Sequence, residues 1–255
     1  MIEVKDLKKR FGDKEVLKGI STTFEKGKTS LIIGSSGAGK TVFFKCLLGL
    51  FEPTEGEIVY EEVSTKDMSS KKRHDIRKQV GTVFQYSALF DFMTVEQNVR
   101  FPLEMYTKLS MDEMNERVQM ILEKVNIEED ALTKMPSEIS GGMQKRVAIA
   151  RAVVNKPKYL FCDEPNSGLD PKTATVIDNL IQKLTKEFDI TTVINSHDMN
   201  SVLEIGEKIL FLKDGLKAWE GTKEEILDTD NEAVSEFVYN SNLMKRVREV
   251  LQKGT

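Results

Sequence analysis

No part of this chain constrains its fold more than Gly34-Ser35-Ser36-Gly37-Ala38-Gly39-Lys40-Thr41, which fits the pattern G-x-x-x-x-G-K-[ST]. The stretch is read as a phosphate cradle. The apolar run Ser30-Leu31-Ile32-Ile33 before it predicts a buried strand, and Val42-Phe43-Phe44-Lys45-Cys46-Leu47-Leu48 after it continues at helical spacing. Glycines let the backbone close around a triphosphate. The amides at the helix start then face the anion, with the positive end of the helix dipole behind them. Lys40 supplies a point charge for the β- and γ-phosphates, and the Thr41 hydroxyl suits Mg²⁺.

The sequence around this cradle reads as an interrupted α/β core. Short alternating stretches from Ile2 to Phe24, with a turn at Gly12-Asp13, predict a small antiparallel sheet, which the strand Glu57-Ile58-Val59-Tyr60 joins. Val80-Gly81-Thr82-Val83-Phe84 is expected as a core strand ending at Gln85. The charged run Ser69-Ser70-Lys71-Lys72-Arg73-His74 is read as a solvated face without chemistry. From about 93 to 154 the pattern is helical. Ser110-Met111-Asp112-Glu113 is a capping box, and Met111, Met114, Val118, Ile121, Leu122 and Val125 fall on one face, the ordinary stripe of a core helix. A second helix opens at Ser140. Then Lys158-Tyr159-Leu160-Phe161-Cys162, Thr191-Thr192-Val193-Ile194 and Lys208-Ile209-Leu210-Phe211-Leu212 alternate with helical segments, the pattern of a parallel sheet. From Thr222 onward a charged helical tail is expected, with Leu243, Val247 and Val250 on one side.

Composition narrows the partners. Lys and Arg number 37 against 41 Asp and Glu, a formal charge of −4, so no global basic field draws the chain to nucleic acid. Cys46 and Cys162 sit inside apolar runs, as buried reduced thiols do, which suits a cytosolic setting. No signal core stands at the N-terminus, and no apolar run approaches the roughly 18–20 residues of a spanning helix.

Asp163-Glu164 follows a buried strand at the edge where open α/β sheets bind ligands. Asp163 is expected to hold Mg²⁺ through water opposite Thr41, and Glu164 to orient or deprotonate an attacking water.

Ser140-Gly141-Gly142-Met143-Gln144 resembles the signature of the ATP-binding-cassette (ABC) ATPases, and the order of parts fits. The cradle comes first, then Gln85, the signature, Asp163-Glu164, Ser167-Gly168-Leu169-Asp170 and a lone His197 after a strand. The resemblance covers nearly the whole chain. It implies an α/β P-loop NTPase fold with a RecA-like core sheet, a small antiparallel β subdomain and an inserted helical subdomain. The ATPase domain would span 1–221, with the insertion at about 93–154 and a helical tail over 222–255. It also implies that Phe11 stacks on adenine, that Gln85 senses Mg²⁺ and the water, and that His197 contacts the γ-phosphate. As bare residues, Phe11 fits core packing equally, Gln85 a polar strand end and His197 a surface histidine. Ser140 to Gln144 offer a hydroxyl, glycine amides and a helix dipole to a second anion, so ATP is expected between two copies of the chain, with Ser167 to Asp170 as the dimer loop.

Within the family, Val83 to Val99 together with Ser140-Gly141-Gly142-Met143 is similar to the ATPases of Mla-type, MCE-associated phospholipid transport systems. The informative marks are Ser87-Ala88-Leu89-Phe90 and Met143; Tyr86 departs from the small residue that is frequent there. The resemblance implies an ATP-hydrolysing subunit, peripheral on the inner face of the cell membrane, that works with an integral membrane permease and an MCE-domain lipid-binding protein and binds no nucleic acid. Leu89, Phe90 and Phe92 are read as a docking groove for a permease helix, with core packing as the rival. An ATPase for amino acid or lipoprotein cargo, a soluble non-transport ABC protein and an inactive ATP-binding module are the alternatives.

Overall fold

The computed structural model describes residues 1–66 and 68–239. Ile2–Phe11 (β1) and Lys14–Phe24 (β2) form an antiparallel hairpin, followed by Thr29–Ile33 (β3) and the helix Lys40–Leu47 (α1). Glu55–Tyr60 (β4) and Val63–Ser64 (β5) return to the hairpin, giving a four-stranded antiparallel sheet in the order β2-β1-β4-β5. Ser70–Arg77 (α2) then leads to Val80–Val83 (β6). Val95–Tyr106 (α3), Met111–Lys124 (α4) and Gly141–Val153 (α5) make up the helical stretch. Tyr159–Asp163 (β7), Pro171–Glu187 (α6), Thr191–Asn195 (β8), Met199–Ile205 (α7), Lys208–Lys213 (β9), Leu216–Gly221 (β10) and Glu232–Val238 (α8) complete it.

The second sheet has six strands in the order β10-β9-β3-β8-β7-β6, parallel throughout except for β10 against β9. All five residues of β3 and of β8 are buried, as expected of parallel strands covered on both faces. Alternate residues of β3 serve opposite cores. Ile32 joins Phe43 and Phe44 of α1, Phe161 of β7 and the inner face of β1 and β2. Leu31 and Ile33 join Val99 of α3, Ile121 of α4, Val147 of α5 and Ile181 of α6. The helical stretch therefore shares one continuous core with the sheet.

The helix starts follow local chemistry. Thr94 and Gln97 close a capping box on α3, Ser110 and Glu113 close another on α4, and Asp170 caps α6 with Pro171 at the first position. Val118, Ile121, Leu122 and Val125 are buried as the periodicity implies, whereas Met111 is 54% exposed, because it stands in the first turn of α4 at the edge of that core. Ser69 to His74 form the start of α2, which buries none of its residues. Hairpin strand β10 has no counterpart in the sequence reading. Thr222 to Asn231 run as turns before α8, and Leu243, Val247 and Val250 lie outside the described residues.

Candidate active site

The carboxyl edge of the parallel sheet gathers the cradle and the acids. Ile32 of β3 pairs with Asn195 of β8, and Asn195 pairs with Asp163 of β7, so three chain ends emerge side by side. Ser196 N donates to Ile32 O (3.1 Å) and Glu164 N to Asn195 O (2.9 Å), which extends the register by one residue into the loops. The cradle and Asp163 are thus two strand spacings apart, roughly 10 Å.

Gly34 leaves β3 at φ 146°, where an added Cβ would stand 2.2 Å from the Leu212 carbonyl oxygen of β9. No side chain fits there. Ala38 is buried, and its carbonyl accepts from Gly215 N (3.2 Å) while Gly215 O accepts from Lys18 N (2.9 Å), so the β9–β10 turn braces the cradle from behind. Ser35, Ser36, Gly37 and Thr41 remain exposed. Gly39, at φ 99°, precedes α1 without a side-chain cap, and no acid stands in the first turn. The leading amides of α1 therefore lack side-chain acceptors, the condition under which a helix start takes an anion. Lys40 Nζ donates to Gly34 O (2.7 Å) and Ser35 O (3.2 Å). Partial burial lowers its pKa, and the Glu164 carboxylate acts in the opposite direction, so the lysine and the acid lie within electrostatic reach.

Asp163 Oδ1 accepts from Asn195 Nδ2 (2.6 Å), which fixes the carboxylate at the strand end. Glu164 holds φ 48°, unusual for a residue with a side chain, and its Oε2 lies 2.7 Å from His197 Nδ1. Such backbone strain persists only where surrounding bonds over-determine it. The imidazole is 69% exposed and leaves Nε2 facing outward from this contact.

Gln85 Nε2 donates to Ser167 Oγ (3.1 Å), leaving the Gln85 carbonyl oxygen as a ligand or acceptor. Lys145 of α5, almost fully buried, donates to the Gln85 backbone carbonyl, and its burial lowers its pKa. The loop beyond Gln85 is rigidly held. Ser87 and Ala88 both adopt positive φ, and the Arg151 guanidinium donates to Ser87 O (2.9 Å) and Ala88 O (2.8 Å). Buried Asn98 accepts from Phe90 N (2.8 Å) and donates to the Phe90, Met93 and Thr94 carbonyls. Phe90 packs on Phe101 (ring centroids 4.8 Å) under Arg151, whereas Tyr86 and Phe92 are 85% and 75% exposed.

Ser140 caps α5 through Met143 N (3.3 Å), with Gly141 exposed at the start and Met143 packed against the core. Gln144 braces the preceding turn through the carbonyls of Pro136 and Ile139. Because Ala152 meets Gly81 while Lys145 meets Gln85, α5 runs antiparallel to β6, and its N-terminus projects past the carboxyl edge of the sheet. Among the described residues no hydrogen bond or ion pair joins Ser140–Gln144 to Gly34–Thr41. Gly168 turns at φ 80°, Leu169 packs on the core, and Asp170 holds Thr173 at the start of α6. Phe11 ends β1 half exposed, edge-on to Phe51 (5.3 Å) with the Lys9 ammonium over its ring (5.0 Å).

The oxygen donors fit a hard cation. Thr41, Asp163 and Gln85 offer a hydroxyl, a carboxylate and an amide oxygen, and the buried Asn195 Oδ1 has no protein partner, an acceptor for an ordered water beside Asp163. Among the described residues no group of three or more His, Cys, Asp or Glu is placed to hold a metal by itself.

Residues 17–167 match the ABC transporter family model. The chain is 35% identical over 238 residues to the intermembrane phospholipid transport system ATP-binding protein MlaF of Haemophilus influenzae, covering 93% of this chain and 90% of that relative. It is also 35% identical over 255 residues to the methionine import ATP-binding protein MetN of Clostridioides difficile, covering 100% and 77%. A solved ATP-binding cassette, MJ0796, in a dimeric post-hydrolysis state bound to ADP and Pi, superposes with a TM-score of 0.78 at 33% identity, over 88% of this chain and 99% of that one. The chain belongs to the ABC transporter family, as an ATP-hydrolysing subunit.

The cradle geometry makes a paired prediction. Gly34→Ala drives a methyl into an immovable carbonyl and is expected to lower the melting temperature and abolish binding of a fluorescent ATP analogue. Gly37→Ala meets nothing within 4 Å and costs only the strain of positive φ, about 1–2 kcal/mol, with binding retained. Equal behaviour of the two variants would contradict this account of the cradle.

Proposed function

We propose that this chain powers phospholipid transport between membranes, hydrolysing Mg-ATP as a homodimer on the cytoplasmic face of an integral membrane permease. The parallel register that brings the cradle after β3 and Glu164 after β7 out at one sheet edge carries the hydrolytic part, since it sets the phosphate site against the acid. Lys40 and the leading amides of α1 bind the β- and γ-phosphates. Thr41 and Gln85, with Asp163 through water, would hold the cation, which would neutralise charge on the phosphate oxygens. Glu164 takes a proton from water as the water oxygen bonds to γ-phosphorus. The bond from γ-phosphorus to the bridging oxygen breaks, and ADP leaves with that electron pair. His197 turns Nε2 toward a γ-phosphate oxygen while Nδ1 stays on Glu164. Ser140 and the amides of Gly141 and Gly142 contact the γ-phosphate bound by the partner copy, and Ser167 to Asp170 line the seam between copies. Phe11 stacks on adenine.

The dimeric state of the MJ0796 cassette supports the homodimer. Among the described residues no helix is long and apolar enough to cross a membrane. A cleft lined by Phe84, Phe90, Phe101, Met105 and Tyr106 is a suitable seat for an apolar permease segment, with exposed Phe92 against Phe90 and exposed Tyr86 in the same loop. MlaF supports the lipid cargo and, by analogy, an MCE-domain partner. Amino acid import is the second reading, favoured by a match of equal identity to MetN.

Glu164→Gln keeps the shape and removes the base. ATP binding is expected to persist while turnover falls by about 10²–10⁴-fold in a phosphate-release assay, and turnover near the parent rate would contradict the role. Phe92→Asp combined with Tyr86→Asp is expected to leave melting temperature and basal ATPase intact while the chain no longer co-purifies with a detergent-solubilised permease. Retained co-purification sinks the docking assignment. Reconstituted permease complex is expected to move fluorescent phospholipid between vesicles on ATP addition; movement of methionine alone favours the second reading.

A further inference from the structure

Asp178 of α6 is the one fully buried carboxylate among the described residues, 2% exposed, and nothing in the hydrolytic scheme uses it. Its Oδ1 accepts from Asn166 Nδ2 (2.7 Å), and the same amide reaches Ser201 Oγ (3.0 Å). Ser201 Oγ in turn donates to Asp198 Oδ2 (3.3 Å), and Asp198 caps α7 through Asn200 N (2.9 Å). Three segments thus meet around buried Asp178 and Ser201, with Asn166 and Asp198 half-buried beside them. Asn166 belongs to the turn that leaves Glu164, Asp178 stands on α6, and Asp198 directly follows His197.

The chemistry there is costly for packing alone. Burial raises the Asp178 pKa to about 6, against the hydrogen bonds of Ser201 and Asn166, and Asp198 and Glu204 of α7 push it the same way as burial. From the sheet side the Cys162 thiol of β7 faces it, itself raised by burial and by Asp178. A carboxyl whose folded pKa exceeds its unfolded value gives its full stability below the unfolded value, near 4, and loses it as pH rises through about 6. At neutral pH the ionised group therefore works against folding, and a hydrogen-bonding duty is the compensating gain.

We propose that Asp178 is a positioning residue for ATP hydrolysis, locking the Asn166 turn and the start of α7 into one frame so that Glu164 and His197 move as a pair. The inference rests on the reading of Glu164 and His197 as the groups that act on the water and the γ-phosphate. The strained φ of Glu164 and its 2.7 Å contact with His197 are the features such a frame would maintain.

The test is steady-state ATPase of the purified chain at pH 8, with nucleotide affinity measured by a fluorescent ATP analogue and Glu164→Gln run beside it. Asp178→Ala is expected to lower kcat about 10- to 100-fold, with KM and nucleotide Kd within about twofold of the parent, the pattern of lost alignment rather than lost binding. Asp178→Asn keeps an acceptor for Asn166 and is expected to recover most of kcat. A parent-like kcat in Asp178→Ala, a Kd that weakens in step with kcat, or an Asn variant as impaired as Ala overturns the proposal. If Asp178→Ala does not fold, Ser201→Ala reads the same tie from the α7 side by the same criteria. A Glu164→Gln protein that still turns over refutes the underlying reading, and the proposal falls with it; a silent Glu164→Gln beside a fully active Asp178→Ala refutes the proposal alone.

Discussion

The parallel register of β3, β8 and β7 is the constraint on which the site depends. Because Ile32, Asn195 and Asp163 lie abreast, a loop that leaves β3 for phosphate, an asparagine that leaves β8 and an acid that leaves β7 reach solvent at one level. The following residues keep the level through Ser196 N to Ile32 O and Glu164 N to Asn195 O. A slip of one residue would turn Asn195 away from Asp163 and send the apolar residues of β8 to the wrong cores. Stability and chemistry are thus tied to the same hydrogen-bond ladder.

Around that edge, charged and polar groups are buried where they connect elements. Lys145 links α5 to the Gln85 backbone, and Gln85 links onward to Ser167, so the helix proposed to offer an anion site to a partner copy is joined to the residue proposed to sense the γ-phosphate. Arg151 and Asn98 fix the loop between Gln85 and α3, leaving Tyr86 and Phe92 exposed and Phe90 half-buried against Phe101. Removing an ammonium or guanidinium from water is offset only by such specific acceptors, which makes these contacts sensitive to any shift of α5. A permease segment seated on Phe92 would press on this same loop.

Much of this was legible in the sequence, because a glycine cradle between a strand and a helix, capping boxes and buried parallel strands are local patterns. The MlaF and MetN relatives support the ABC assignment drawn from Ser140-Gly141-Gly142 and leave the cargo as a proposal. Other features were not legible. Phe90 packs edge-on to Phe101 and both line the cleft, whereas Phe92 is exposed; which loop aromatics share a wall depends on the path of the backbone and is not legible from spacing. Asn98, Lys145, Arg151 and Asp178 carry no motif; their only signal is a polar residue at a core position of a helical face, and their partners lie far away in sequence. Strand β10 was missed because an edge hairpin of mixed polarity lacks the apolar run that marks the interior strands.

The central claim is that a working site joins the cradle of one copy to the signature of another. Two inactive variants test it: Lys40→Ala, with a spoiled cradle, and Ser140→Arg, with a spoiled signature. In either homodimer every site contains one defective half. In a mixed dimer one site combines both defects while the other is intact, so the shared-site account predicts that ATPase activity reappears on mixing and follows the fraction of heterodimer. No activity at any mixing ratio, together with a Glu164→Gln protein that stays monomeric by light scattering in saturating Mg-ATP, would contradict it.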